Sequence, residues 1–202
     1  MLSHMQSRVL ETRNVALENI VRSQKYPCVN RQSGCRELFS IEHIAKHHAV
    51  CVYGKIKCPL HLLKNCSWNG FKNDLKEHAK VAHPKYVFEG STFHFPLLSE
   101  SLAIVYYFRE IFTCCLQKKD GRYYGAVQLT GTSNEPSKYK YEYTLRAANG
   151  IEQISNTFLV QGYSEDFETI FNSKKCLTLD EETINLFVAD DKLNLIVTLS
   201  RV

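Results

Sequence analysis

The sequence has no long hydrophobic run, and this absence excludes a membrane-spanning helix. Such a helix needs about 18 or more consecutive apolar residues, and no stretch of the 202 residues approaches that length. The amino terminus also lacks the apolar centre of a signal peptide, because residues 1–13 are polar and Glu18 and Asn19 interrupt the segment that follows. We therefore expect a soluble intracellular protein without a membrane partner, located in the cytoplasm and also in the nucleus.

A strong excess of one charge is also missing. The chain has 25 Lys and Arg against 21 Asp and Glu, a formal net charge of +4. A dedicated nucleic-acid binder usually carries a clustered basic stripe. Within the segment 72–80, Asp74 and Glu77 are mixed with the lysines, which weighs against a zinc-finger reader of DNA. We expect no nucleic-acid partner.

The chain further lacks the short motifs of common catalytic and nucleotide-binding sites. Neither G-x-S-x-G, H-E-x-x-H, a P-loop nor G-x-G-x-x-G occurs. Cys114 and Cys115 lie in a predicted strand, where one of them faces the core, and Cys176 precedes an apolar run. We interpret all three as structural thiols and predict no catalytic residue.

Cysteine and histidine are crowded into one segment. Five of the eight cysteines lie between residues 28 and 66, and five of the eight histidines lie between residues 43 and 78. Crowded cysteines indicate a disulfide framework in a secreted protein and metal ligands in an intracellular one. Histidine among them favours zinc, because imidazole binds zinc but cannot form a disulfide.

The spacing of these residues defines two ligand sets, C-x6-C-x11-H-x3-C and C-x7-C-x11-H-x4-H. Each set has a loop with two thiolates followed by a helix that presents the other two ligands. The predicted ligands are Cys28, Cys35, His47 and Cys51 for one zinc ion, and Cys58, Cys66, His78 and His83 for a second. Four donors fill a tetrahedral shell and leave no position for an activated water, so both zinc ions are expected to be structural.

Three other histidines lie nearby and are alternatives. His43 is interpreted as a surface residue. His48 follows His47 and would point about 100° away from it on a helix. His61 lies inside the Cys58–Cys66 loop and could compete for the second ion, but this would leave His78 or His83 without a role.

Three regions are predicted along the chain: a linker with a helix over residues 1–25, the zinc-binding segment over 26–86, and a β-rich domain over 87–202. Leu17, Ile20 and Val21 share one face of the first helix. That face packs either on its own zinc-binding segment or on a partner, and both interpretations stay open.

The β-rich domain shows many short strands separated by turns. Ile111–Leu116 and Tyr123–Leu129 flank Asp120-Gly121 and predict a hairpin with a longer loop. Strict alternation over residues 139–146 predicts a half-buried strand, and Asn149-Gly150 predicts the next hairpin. The remaining predicted elements are a strand over 151–160, a helix at Ser164–Phe171 capped by Ser164, a helix from Asp180, and a strand at Leu193–Leu199. The pattern is typical of an antiparallel β-sandwich, so the fold class is mainly β with small α+β zinc fingers.

Several segments resemble the Siah-type double zinc finger of the seven-in-absentia ubiquitin ligases. They are Tyr26-Pro27-Cys28, Gly34-Cys35, Cys66-Ser67-Trp68-Asn69-Gly70 and His78–His83. Residues 13–21 are similar to the segment that follows the RING domain in this family. The later half is similar too, through residues 126–132, 172–177, 186–187 and 196–199.

The resemblance implies two zinc fingers followed by a TRAF-like β-sandwich that binds degron-bearing substrates and dimerises with itself or a family member. In the family a RING domain recruits the ubiquitin-conjugating enzyme, and no cysteine precedes Cys28 here. The expected function is therefore substrate recognition and dimerisation for a Siah-type ligase in proteasomal degradation. The chain is not catalytic by itself, and a conjugating enzyme is a partner only if a RING is supplied. The alternative is a RING-less TRAF-type adaptor, or a competitor of full-length ligases.

The family's peptide groove is expected to be altered. The position of the family's groove tryptophan aligns near Ser101 of this sequence, and the position of its groove asparagine aligns near Ile196. The candidate residues for the equivalent peptide-binding edge are Leu98, Glu100, Leu102 and Ile104.

Overall fold

The computed structural model describes residues 14–95, 100–131, 135–189 and 192–202. The chain divides into two compact units, Met1–His48 and Ala49–Val202. Within the described ranges, no helix is both long and apolar enough to cross a membrane.

The first element within the described residues is helix α1 (Val15–Ser23), as the apolar spacing predicts. The Asn14 side chain caps it by accepting a hydrogen bond from the Leu17 N–H at 3.1 Å. Leu17 and Ile20 remain more than half exposed. The elements that follow are β1 (Tyr26–Pro27), a 3₁₀ helix (Val29–Ser33), β2 (Leu38–Phe39) and α2 (Ile41–Val50).

The second unit contains a small α+β finger followed by the β-rich domain. Its finger consists of β3 (Lys55–Lys57), α3 (His61–Lys64), β4 (Asn69–Phe71), α4 (Lys72–Ala82) and a 3₁₀ turn (Pro84–Tyr86). The strands that follow are β5 (Val87–Glu89), β6 (Thr92–His94), β7 (Glu100–Tyr107), β8 (Glu110–Lys119), β9 (Arg122–Leu129), β10 (Tyr139–Arg146), β11 (Gln153–Leu159), β12 (Gln161–Gly162), β13 (Leu177–Asp180), β14 (Val188–Ala189) and β15 (Lys192–Arg201). Between them lie a 3₁₀ turn (Pro136–Lys138), α5 (Phe167–Asn172) and α6 (Glu181–Asn185).

These strands form two sheets. One has the order β12-β9-β8-β7-β5, with β13 also on β9, and the other has the order β11-β10-β15-β14, with β6 on β15. Tyr141 and Tyr143 of the second sheet share one core with Phe112 and Val127 of the first. The predicted β-sandwich is confirmed. Its pairing is antiparallel except at β5–β7 and β12–β9, which are parallel.

Two local expectations need correction. The β8–β9 hairpin has a tight two-residue turn and not a longer loop, because Lys119 pairs directly with Arg122. Asp120 and Gly121 both have positive φ, 49° and 72°, as such a turn requires. Helix α5 is capped by Asp166, whose carboxylate accepts from the Thr169 N–H at 2.7 Å, and not by Ser164. The helix predicted from Asp180 is α6, and the Asp180 side chain caps it by accepting a hydrogen bond from the Thr183 N–H.

Strand β7 joins the finger to the sandwich, because both of its faces are buried. Ala103 and Val105 point into the sandwich core. Leu102 and Ile104 belong to a second core, which also contains five residues of the finger: Ile56, Cys58, Leu60, Leu75 and Ala79.

Candidate metal centres

The loop from Cys28 to Cys35 carries the first two thiols. The pairing of β1 with β2 fixes its base, and the Cys28 N–H donates to the Glu37 carbonyl at 3.3 Å. The Cys28 sulfur accepts from the Asn30 N–H at 3.4 Å, and the Cys35 N–H donates to the Asn30 carbonyl at 3.2 Å. Gly34, with φ 115°, supplies the left-handed residue that turns the chain back to Cys35.

Helix α2 brings His47 to this loop, and Cys51 follows directly after the helix. The Cys35 Sγ lies 3.4 Å from the His47 Nε2. The ligand atoms of Cys28, Cys35, His47 and Cys51 all lie within 4.8 Å of one another, and the three cysteines are buried. The Phe39 ring stacks on the His47 ring at 4.1 Å, which fixes the orientation of the imidazole.

The neighbouring histidines have other contacts. The His48 Nε2 accepts a hydrogen bond from the Val29 N–H at 3.3 Å, and His43 lies against the Ser40 hydroxyl at 2.8 Å. His48 therefore supports the backbone of the loop that carries Cys28.

The second cluster is built on the β3–β4 hairpin and helix α4. The Cys58 N–H donates to the Trp68 carbonyl at 3.1 Å, which holds the two arms of the hairpin together at the site. The ligand atoms of Cys58, Cys66, His78 and His83 lie within 4.8 Å of one another. The imidazole of His61 donates from Nδ1 to the Cys58 carbonyl at 2.8 Å, so His61 shapes the thiol loop.

Trp68 covers the second cluster. Its ring stacks on the His78 imidazole at 4.7 Å with an interplanar angle of 8°. A Cβ on Gly70 would lie 2.5 Å from the Trp68 ring, so any larger residue at that position would displace the ring. Spacing alone did not reveal these supporting roles, although the C-x-W-x-G pattern marked both residues.

The donor chemistry of the second cluster fits zinc. Burial is the main cause that lowers the pKa of His78 and the only cause that lowers the pKa of His83, so both imidazoles are neutral at neutral pH. Burial raises the pKa of the Cys58 thiol to about 11, and a bound cation would favour its thiolate. The His83 Nε2 is buried without a hydrogen-bond partner among the described residues. A tetrahedral ion ligated by sulfur and nitrogen would satisfy these groups.

The two clusters, each with four sulfur or nitrogen donors, are structural zinc sites. No further cluster of this kind occurs in the described ranges. All eight predicted ligand residues belong to one of the two clusters.

Two of the four residues of the predicted peptide-binding edge are buried. Leu98 lies outside the described residues, and Glu100 begins β7. Leu102 and Ile104 are 5% and 0% exposed in the core shared with the finger, so their side chains cannot contact a peptide.

Two of the three remaining cysteines are buried. Cys114 is fully buried in the sandwich core and Cys176 is buried beside α5. Burial raises the pKa of both thiols, which keeps them protonated and unreactive at neutral pH.

Comparisons with known proteins agree with this architecture. The family model described as Sina, zinc finger, matches residues 19–95, and the model described as Sina, TRAF-like domain, matches residues 105–198. The chain is 26% identical to the E3 ubiquitin-protein ligase siah-1 of Caenorhabditis briggsae, over 94% of the chain and 47% of that protein. It is 24% identical to the E3 ubiquitin-protein ligase sina of Schistosoma mansoni (94% and 54%) and 22% identical to siah2 of Xenopus laevis (93% and 63%). The chain thus spans about half the length of the curated relatives it matches.

Proposed function

The chain belongs to the Sina (seven-in-absentia) family, whose zinc-finger and TRAF-like regions it contains, and from this premise we propose that it recognises the proteins that a Siah-type ubiquitin ligase modifies. The observation that supports the proposal is the pair of four-donor zinc clusters followed by a TRAF-like sandwich. A module of this kind acts by position: it raises the effective concentration of a substrate lysine near the charged conjugating enzyme.

In this proposal the zinc ions contribute only structure. The eight Cys and His side chains of the two clusters bind them and leave no open coordination position. Transfer of ubiquitin then requires a RING domain to bring the conjugating enzyme, and the recognised proteins are degraded by the proteasome.

Dimerisation is part of the same proposal. The sheet that contains β10, β11 and β15 is the proposed contact surface between two copies. Strand β11 lies at the edge of this sheet, and most of its side chains are exposed. An edge strand with exposed side chains is suited to pairing with a second copy.

A reducing compartment suits the proposal. Five of the eight cysteines belong to the two zinc clusters, and zinc thiolates persist where disulfides do not form. We therefore place the protein in the cytoplasm and the nucleus.

The test is to capture proteins from a cell extract with the chain, identify them, and measure their half-lives in cells that overproduce the chain joined to a RING domain. Recognition for a ligase predicts half-lives shortened about twofold or more, with the effect blocked by a proteasome inhibitor. Unchanged half-lives would contradict the proposal and favour a TRAF-type adaptor. Longer half-lives in cells that overproduce the chain alone would identify a competitor of full-length ligases.

A further inference from the structure

The two zinc clusters differ in how far solvent reaches their ligands. The three cysteines of the first cluster are at most 2% exposed, and only His47 of that cluster is partly exposed. In the second cluster Cys58 is fully buried, whereas Cys66 and both histidine ligands are partly exposed. A small reagent in solution therefore reaches a thiol of the second cluster more readily than one of the first.

Cys66 combines this access with a place in a metal site. All eight cysteines lie in the described ranges; six are buried, and Cys66 and Cys115 are partly exposed. Cys115 lies on β8 and belongs to neither cluster. Susceptibility of a cysteine to oxidation follows its thiolate character and its exposure, and zinc binds cysteine as the thiolate. Among the eight cysteines, Cys66 alone meets both conditions.

A second thiol lies beside Cys66. The Sγ atoms of Cys58 and Cys66 are within 4.8 Å of each other, and a disulfide bond is about 2 Å long. The Cys58 backbone is fixed on both sides, because its N–H donates to the Trp68 carbonyl and its carbonyl accepts from His61. Cys66 follows Asn65 in the segment without regular secondary structure between α3 and β4. Cys66 can therefore shift toward Cys58 to close the bond.

From these observations we propose that Cys58 and Cys66 are a peroxide-sensitive thiol pair, in which oxidation to a disulfide releases the second zinc ion. The first cluster keeps its ion under the same conditions, because its thiols are buried. This proposal rests on the zinc sites and does not depend on the proposed role in ubiquitination.

The reaction has two displacements. The Cys66 thiolate attacks one oxygen of hydrogen peroxide, the O–O bond breaks, hydroxide leaves, and Cys66 becomes a sulfenic acid. The Cys58 thiolate then attacks the Cys66 sulfur, the S–O bond breaks, and a second hydroxide leaves as the disulfide forms. Two thiolates lose two electrons in total, and the peroxide accepts them.

Oxidation removes two of the four donors of the second cluster. Helix α4, which carries His78, then loses its connection through the metal to the β3–β4 hairpin. The same helix contributes Leu75 and Ala79 to the core that the finger shares with β7. Oxidation should therefore loosen the contact between finger and sandwich, and a thiol reductant with added zinc should restore it.

The test treats the protein loaded with two zinc ions with hydrogen peroxide in the presence of a chromogenic zinc chelator. We expect one zinc ion per chain to be released at least about tenfold faster than the other. Peptide mapping by mass spectrometry should then find a Cys58–Cys66 disulfide, with the thiols of the first cluster still reduced. Simultaneous loss of both ions, or a disulfide within the first cluster, would overturn the proposal.

The variant Cys66→His isolates the thiol pair. It offers one thiolate and three imidazoles, which still suit zinc, but cannot form the disulfide, so peroxide should release its second ion about tenfold more slowly than in the wild type. The matched control Cys115→Ser removes the other partly exposed thiol and should release zinc within about twofold of the wild-type rate. Equal slowing in both variants would contradict the proposal. If Cys66→His binds fewer than two zinc ions, the wild-type peptide map decides, and zinc loss without the Cys58–Cys66 disulfide would refute the assignment.

Tryptophan fluorescence follows the same event from inside the finger. The Trp68 ring stacks on the His78 imidazole at 4.7 Å, and Trp68 is the only tryptophan of the chain. Its emission should change at the rate at which the first zinc ion is released and should recover after addition of dithiothreitol and zinc. Unchanged emission would place the loss in the other cluster, and a change that does not recover would exclude a disulfide; either result would overturn the proposal.

Discussion

At the scale of single residues, Trp68 and Gly70 explain how the second zinc cluster is held. Trp68 is the only tryptophan of the chain, and its ring lies between the Gly70 backbone and the His78 imidazole. Stacking restricts the imidazole to one orientation, as partners of a metal ligand commonly do. The predicted ligand set therefore depends on two residues that donate nothing to the metal.

The variant Gly70→Ala tests this arrangement. Its Cβ would lie 2.5 Å from the Trp68 ring, so the ring must leave His78, and we expect a loss of about 1–3 kcal/mol in the free energy of unfolding of the finger. Tryptophan fluorescence during thermal unfolding reports the loss directly, because Trp68 is the sole emitter of its kind.

The matched control is Gly162→Ala. There the nearest atoms to the added Cβ are 3.7 Å away, an ordinary contact. An unchanged fluorescence spectrum in Gly70→Ala, or an equal loss of stability in the two variants, would argue against the role assigned to Trp68.

At the scale of elements, helix α4 and strand β7 share a core. Leu75 and Ala79 of α4 lie in the same buried cluster as Leu102 and Ile104 of β7. The second zinc ion holds α4 to the β3–β4 hairpin, since His78 lies on the helix and Cys58 follows β3. Zinc binding in the finger should therefore stabilise one strand of the sandwich.

Metal removal tests this coupling. Elemental analysis should find two zinc ions per chain before treatment with a chelator and none afterwards. Removing zinc should expose Leu102 and Ile104, and we expect the amides of β7 to exchange hydrogen roughly ten- to a hundredfold faster. The amides of β10 are the internal control, because this strand packs in the sandwich core without the finger. Equal acceleration in both strands would indicate global unfolding and contradict a local coupling.

At the scale of the whole molecule, the proposed dimer depends on the sheet that ends in β11. Light scattering should give a mass near twice that of the 23.3 kDa chain. Thr157 is exposed on β11, and its hydroxyl donates to the Glu142 carboxylate at 3.3 Å. In Thr157→Arg the guanidinium can pair with the Glu142 carboxylate of the same chain, so the fold is kept. The longer side chain would obstruct the approach of a second copy to β11, and we expect this variant to be a monomer.

Ser164→Arg is the control for the dimer. It introduces the same side chain at an exposed position outside β11 and should remain dimeric. A wild-type protein that stays monomeric at micromolar concentration would rule out the proposed dimer.

The sequence by itself determined the two zinc clusters and the mainly β class of the larger unit. The ligand sets could be predicted because thiol and imidazole chemistry needs few residues at short spacings, within about 25 residues in each set. Strand β10 could be predicted because one of its faces is buried, which produces strict alternation over Tyr139–Arg146.

The tertiary structure alone decided the rest. Strand β7 is buried on both faces, so apolar and polar side chains do not alternate along it. Leu102 and Ile104, which the sequence predicts at the peptide-binding edge, lie in the core that β7 shares with the finger. Helix α5 begins at Phe167, so Asp166 and not Ser164 occupies its N-cap. A hollow of about 560 Å³ joins residues of β8, β11 and β13 that are distant in sequence, and only the packing of the two sheets brings them together.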